Sequence, residues 1–528
     1  MQRVLKMSKL LAINNIGLKG INSDIAPWDL PPEYLTFGFN FKIDTNTIYT
    51  TGGYADWSTS PAPFNPGYMM HVGSTSGDYW LVAGRTAVYA FDGATWTDVS
   101  STAGYAGLGL DDELNWVGCM LGQIPIFNNP QGVPEYWSPQ SPGQIMQPLP
   151  WSPGVTWAQR AISAKVIRSH KTFLFALNIQ DGAVDQPDSF RWSTSADING
   201  LPFTWDESDI SALAGIASLG GDGGNIIDGL SLRDSFVIYS ESAIDILDFS
   251  NDEFIWKRRE LSNSYGLLSK DCIQEVKGVH YFMSDGDIMR NDGTTISSII
   301  HGRLQKQFNA KMNADKYDRS YTVKNNSTKE LWFCVPEEAS NYANIAYVYN
   351  WVDDSWAVRD LPEGNTYSAY GPQSDPPETW DNWVGKWDTQ TRVWGSRKNT
   401  PLDDTIVGVG TASDLKLLEP TDIRDSGPLT TRIERTDLPL DGIDNVTTIT
   451  RVYPHIDGTT PVDIQFGSQT HAGGPVSWKP PQTFAPGVDR KLDVRSTGSL
   501  HAWRLQSQEE GNWGFSGMDL EYEESGRR

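Results

Sequence analysis

The sequence predicts an all-β chain: a β-propeller with an N-terminal extended arm and a C-terminal antiparallel β-sandwich-like domain. Three observations carry this. Strand-turn-strand units that end on an aromatic residue recur between residues 61 and 424. A single segment has a helical period, and the texture changes after about residue 425. An aromatic fraction of 11%, with 21 Trp, belongs to a packed chain and not to a disordered one. Gly (49) and Pro (31) supply the many tight turns such a fold needs.

The first element is an arm, residues 1–60. Within it, Ala26-Pro27-Trp28 and Leu30-Pro31-Pro32 hold the backbone extended, because each proline excludes the helical region for the residue before it. Phe37-Gly38-Phe39-Asn40-Phe41 then alternates as a strand would, so the arm is expected to pass into one or two strands that help close a ring. Ahead of it, Arg3, Lys6 and Lys9 precede an apolar run of only four residues, Leu10 to Ile13, too short for the core of a secretory signal. Folding in a reducing cytoplasm is the expectation, and the widely spaced Cys119, Cys272 and Cys334 suggest no disulfide framework. No stretch reaches the 18 apolar residues of a membrane helix, so no stable membrane insertion is expected.

The repeated units follow, spanning 61–424 as about six blades. In the first, Tyr79 to Phe91 is β-rich, the turn is Asp92-Gly93, and the unit closes on Trp96. The second runs from Asn115 to Trp137, the third from Thr172 to Trp192, and the fourth from Ser235 through the turn Asn251-Asp252 to Trp256. The fifth, Val279 to Ile296, holds two Asp-Gly turns, and the sixth ends in Ile345 to Val358. An irregular repeat of small antiparallel sheets is a propeller signature; stacking around an axis covers the faces each sheet would expose alone. The closing aromatics are expected to fill the wedges between blades, leaving a negatively charged central hole. A β-sandwich or a solenoid with the same strand count is the alternative architecture.

Residues 303–319 read as a helix, with Leu304, Phe308 and Met312 four apart and five basic against two acidic residues. Residues 361–402, rich in Pro, Trp, Asp and Asn, read as a long loop or inserted hairpin, and 425–528 as a compact sandwich.

Signals for chemistry are sparse. There is no G-x-S-x-G, H-E-x-x-H or Walker A motif, and the seven His are scattered, so no catalytic, cofactor-binding or metal-ligating residue is assigned and no enzymatic activity is expected. Gly220-Gly221-Asp222-Gly223-Gly224 lacks a following Lys-Ser or Lys-Thr and reads as a flexible loop. Asp285-Gly286 and Asp292-Gly293 lack the ladder of a calcium loop and read as hairpin turns. Ser195, Asp197, Gly200 and Trp205 resemble the Asp-box turn of sialidase propellers, with Asn199 where Gly is expected and the Trp displaced. The net charge of −24 argues against phosphate-driven binding of nucleic acid. Two basic clusters stand out, Lys257-Arg258-Arg259 and the 303–319 segment with Lys306 and Lys311. With Trp28, Leu30 and Pro31 of the arm, these are the interface or lumen candidates.

The two ends carry a resemblance. Gly20-Ile21-Asn22-Ser23-Asp24, Leu30-Pro31, Asn40 and Gly52-Gly53 follow one another in order, Ile345 to Pro362 forms a blade-ending element, and Trp503-Arg504, the turn-strand from Trp513 and Gly526-Arg527-Arg528 close the chain. This order resembles the bacteriophage short-tail nozzle and tail-hub proteins (the tail tubular protein B-like family) over most of the chain. The resemblance implies a virion component assembled in the host cytoplasm. It would be a homo-oligomeric ring, a hexamer, at the distal end of the tail, against an adaptor or portal-side ring and tail fibres or spikes. Such a ring retains the genome and lets phage DNA pass during ejection without sequence-specific binding. The alternative function is a carbohydrate-binding or receptor-binding propeller, lectin-like or glycosidase-like.

Overall fold

The computed structural model describes residues 8–527 except 58–60, 75–76, 103, 106–114, 139–143, 199, 210–211, 222, 251–254, 374–403, 420–422, 425–426, 429, 443 and 508–510. The turn Asn251-Asp252, the centre of the glycine cluster and most of the 361–402 segment therefore lie outside the described residues. Strand dominates, at 56% against 4% helix.

Seven small antiparallel sheets succeed one another along the chain. Their first strands are Pro66–Ser74, Val117–Leu121, Ile162–His170, Ile226–Leu232, Ile273–Val276, Tyr321–Asn325 and Asn365–Pro372. Each of these touches the next, and the last touches the first, so the seven sheets close a ring with their first strands innermost. We number them blades 1 to 7 in that order. The chain is a β-propeller.

The wedges between blades are filled as the repeat of aromatics predicts. Trp137, closing blade 2, meets Tyr79 of blade 1 edge-on at 5.4 Å. Trp256, opening the outer strand of blade 4, meets Phe173 and Phe175 of blade 3 at 5.5 and 5.0 Å. The hairpin turns also have a common mechanism. Asp92 accepts hydrogen bonds from the Ala94 and Thr95 amides, and Asp292 does the same for Thr294 and Thr295.

Seven blades replace the expected six. The innermost strand of blade 7, Asn365–Pro372, lies inside the segment read as a loop. Its buried residues include Asn365, Thr366 and Ser368, which look like loop composition because their partners are polar groups on the axis. The fourth strand of this blade, Tyr54–Asp56, comes from the arm and pairs with Leu415–Leu418. The segment just ahead of blade 1 thus completes the last blade, closing the ring by hydrogen bonds between distant parts of the chain.

The arm is woven through the molecule. Gly20–Ile21 and Tyr34–Leu35 extend blade 6 in parallel. Asn40, at φ 57°, breaks the alternating Phe37–Phe41 run, sending Phe37–Phe39 and Phe41–Asp44 into different sheets. The Asn40 side chain donates to Asp360 and to the Thr430 carbonyl, and accepts from the Asp360 amide. Those two sheets make the C-terminal sandwich, one built on Asn445–Gly458 and Trp513–Arg527, the other on Thr431–Leu438, Leu500–Ser507 and Val462–Gln469. Trp503 and Phe515 meet across it at 5.7 Å.

The helix expected over 303–319 is shorter: an α-helix at Gln305–Lys311 and a 3-10 turn at Tyr317–Arg319. Asp24 of the arm caps the helix, accepting from the Gln305 and Lys306 amides at 3.1 and 2.9 Å. Gly20 lies at φ 76°, and a Cβ there would fall 1.8 Å from the Trp356 carbonyl oxygen. Gly20→Ala is therefore expected to lift this part of the arm off blade 6, at roughly 1–3 kcal/mol. A fall in Tm with faster proteolysis between residues 14 and 35 is the expected reading; an unchanged Tm would refute the close approach.

Candidate ligand-binding cleft

Antiparallel alternation sets which loops share a face. The segments leading into each first strand lie beside the turns joining second to third strands. On this face a cleft of about 700 Å³ opens across three blades. Pro63, Phe64 and Asn65 lead into blade 1, and Arg85 and Thr86 form its second turn. Lys316 and Arg319 lead into blade 6, whose second turn supplies Asn341 and Tyr342, and Thr411 comes from the second turn of blade 7. The Arg319 guanidinium lies 4.9 Å from the Tyr342 ring and donates to the Asn341 carbonyl at 2.8 Å. Phe64 stacks on Tyr89 at 5.0 Å, which holds one ring at the cleft wall.

Arg319 also borders a smaller depression over the ring axis, with Tyr68, Lys270, Asp271, Tyr321 and Tyr367. Below it the axis is filled. Arg168 of blade 3 bonds Asp228 of blade 4 through Nε and Nη2 at 2.7 and 2.6 Å, bonds Asp271 at 2.7 Å, and donates to the Gly118 carbonyl of blade 2 at 2.9 Å. Asp228 also accepts from the Asp271 amide at 2.9 Å. The Tyr68 hydroxyl of blade 1 accepts from the Gly118 amide, and Tyr68, Tyr367 and Tyr321 stand ring to ring at 4.7 and 4.9 Å. Every blade contributes to this plug. The expected negatively charged hole is thus corrected: the axial carboxylates share one buried guanidinium, have Lys270 beside them and are covered by tyrosines, because unpaired charge there would be costly. Burial pushes the Asp271 carboxyl up, against the pull of Arg168, and pushes the Lys270 ammonium down to about 8.

The residues singled out in the sequence lie elsewhere. Lys257, Arg258 and Arg259 are on the outermost strand of blade 4, where Arg258 pairs with Asp245 at 2.7 Å and Arg259 with Asp248 at 3.1 Å. Lys306 is tied to the Asp24 carbonyl at 2.7 Å, and Lys311 faces Glu337 at 3.6 Å. Trp28 is partly exposed against Gly473, Leu30 is buried with its carbonyl bonded by Arg435, and Pro31 is exposed. None of these lines the axis or the cleft. Trp205 of the Asp-box-like segment is buried against Trp157, with ring centroids 4.9 Å apart. The cleft residues were missed because they come from turns far apart in sequence. The one available signal was the basic run at 303–319, whose last two cations are the ones the cleft uses.

No protein-family model and no curated protein matches the chain. Solved structures do: an exo-beta-1,3-galactanase from Phanerochaete chrysosporium with galactose matches over 89% of this chain and 100% of its own, at 8% identity and a TM-score of 0.27. A variant of it with beta-1,3-galactotriose matches at 9% identity and the same TM-score. These neighbours are glycoside hydrolases, not tail proteins. The reading of the chain as a virion or bacteriophage tail component, a distal ring for genome retention and DNA ejection, is corrected: no comparison supports it, and it is not carried further. The expectation of no enzymatic activity is likewise withdrawn. At this identity and TM-score the likeness transfers no substrate and no residue; what supports a ligand class is the chain's own cleft.

Proposed function

We propose that this chain is a carbohydrate-binding β-propeller and that the cleft across blades 6, 7 and 1 receives the sugar. The observation that carries this reading is the lining: the Phe64 and Tyr342 rings beside the amides of Asn65 and Asn341 and the hydroxyls of Thr86 and Thr411. A pyranose presents an apolar C–H face and a rim of hydroxyls. Rings take the face, and planar amides bond vicinal hydroxyls as both donor and acceptor. The full chain on a glycan array, followed by calorimetry on the hits, is the test. Tyr342→Ala is expected to weaken binding about tenfold, the scale of one lost stacking contact. Thr86→Trp, at an exposed turn, is expected to block the cleft without unfolding the blade. Silence across the array, or binding that neither variant affects, would rule this reading out.

One observation favours a hydrolytic step as a second reading. Asp271 has its carboxyl raised by burial, keeps 11% of its side chain exposed, and shares a guanidinium nitrogen with Asp228. A carboxyl raised by burial and set beside a second carboxyl is an arrangement that glycosyl transfer employs. Reducing ends released from a bound glycan, and abolished by Asp271→Asn with binding retained, would assign it; their absence from every bound glycan would dismiss it.

A further inference from the structure

We propose that the cleft takes an oligosaccharide of about three units or longer, with a stacking ring under each end, and not a single monosaccharide. The inference rests on the reading of the cleft as a carbohydrate site and deepens it to the length of the ligand. Among the described residues two aromatic rings line the cleft, Phe64 and Tyr342. Each has one face already covered from within the chain. Phe64 lies on Tyr89, with ring centroids 5.0 Å apart and planes 16° from parallel, and Trp96 stands edge-on to it at 6.4 Å. The Arg319 guanidinium sits over the Tyr342 ring at 4.9 Å. Both rings are half-buried, so each is a one-sided platform, held in place before any ligand arrives, whose remaining face belongs to the cleft.

The two platforms stand on blades that are not neighbours. Phe64 leads into blade 1, Tyr342 is on the second turn of blade 6, and Thr411 of blade 7 lies between them. Stacked sheets are about 10 Å apart, so one pyranose does not reach from one ring to the other. The floor between the rings is continuous. Ser413, on the same turn as Thr411, donates to Asn65 Oδ1 at 2.8 Å, and its carbonyl accepts from the Ala62 amide at 2.6 Å. Volume leads to the same length. A pyranose displaces about six waters, or roughly 180 Å³ at about 30 Å³ each. The cleft, at about 700 Å³, therefore has room for about three or four units.

Calorimetry on the full chain should use cello-, xylo- and β-1,3-galacto-oligosaccharide ladders, each running from monosaccharide to hexasaccharide. In any ladder that binds, the tetrasaccharide is expected to bind roughly tenfold tighter than the monosaccharide or better, with no further gain in the longer members. Tyr342→Ala, and Phe64→Leu, which keeps apolar packing on Tyr89, are each expected to weaken tetrasaccharide binding about tenfold with an unchanged Tm. The double variant should lose the product of the two factors, because the rings hold different sugar units. A monosaccharide bound as tightly as its tetrasaccharide, or a double variant no weaker than the single ones, would overturn this inference and leave carbohydrate binding standing. Failure of every ladder to bind would overturn it as well, and a silent glycan array alongside would overturn both readings.

Discussion

Replacing Arg168 by leucine is expected to lower stability by about 3–5 kcal/mol, the cost of removing one partner from a buried ion pair. Arg168 is where the inner strands of four blades meet through one side chain. Its guanidinium bonds Asp228 twice, Asp271 once and the Gly118 carbonyl. Leucine fills much of the volume but leaves Asp228, whose side chain is 0% exposed, facing Asp271 without the guanidinium that both share. Two readouts distinguish this from a packing defect. Adding Asp228→Asn to Arg168→Leu should restore part of the loss, because the orphaned charge goes with it. The deficit should also shrink as pH falls, because the orphaned carboxyls then take up protons. A urea midpoint for Arg168→Leu within about 1 kcal/mol of the parent would mean that the plug is not what holds the ring together.

The second large effect is acid lability from buried neutral histidines. His280 lies between the Tyr239 hydroxyl, 2.9 Å from Nδ1, and the Ser231 carbonyl, 2.9 Å from Nε2. The carbonyl can only accept, so Nε2 carries the proton and Nδ1 accepts from the tyrosine. A second proton has no place, and burial lowers the His280 pKa to about 4. His170 and His501 are held down to about 4 by burial in the same way. The folded pKa is below the ordinary 6.5, so the unfolded chain binds more protons between these values. Stability is therefore full above about pH 6.5 and falls as the pH drops toward 4, by about 3 kcal/mol for His280 alone. The Asp271 and Glu330 carboxyls, pushed up by burial, act in the opposite sense. The histidine effect is therefore read as a difference. His280→Gln is expected to be less stable than the parent at pH 7.5, with the gap narrowing by pH 5. A gap that stays constant over that range would sink this account.

How much of this was legible depended on whether the cause was local. The Asp92 and Asp292 turns were readable because each aspartate bonds amides two and three residues ahead. The wedge role of Trp256 was readable because a large aromatic at a strand start recurs from unit to unit. Blade 7 was not, because Asn365, Thr366 and Ser368 are polar residues buried against a polar axis, and its fourth strand lies about 300 residues earlier in the chain. The resemblance at the ends misled about function for a physical reason. Gly20 makes the close approach to Trp356, Asp24 caps a helix, Asn40 splits a strand, and Gly52 packs against the Glu419 backbone. Those residues dock the arm; they encode how a propeller is closed and say nothing of what it binds.

The amino-acid order by itself determined the all-β class, the blade repeat, the turn chemistry and the strand-rich texture of the C-terminal sandwich, because each follows from the period and side-chain chemistry of neighbouring residues. The tertiary structure alone decided the number of blades, the filling of the axis by Arg168 and its carboxylates, and the meeting of Arg85, Lys316, Arg319 and Tyr342 in one cleft. Those depend on ring closure, which brings together side chains separated by more than 200 residues, and no local pattern records which distant groups a closing ring will place face to face.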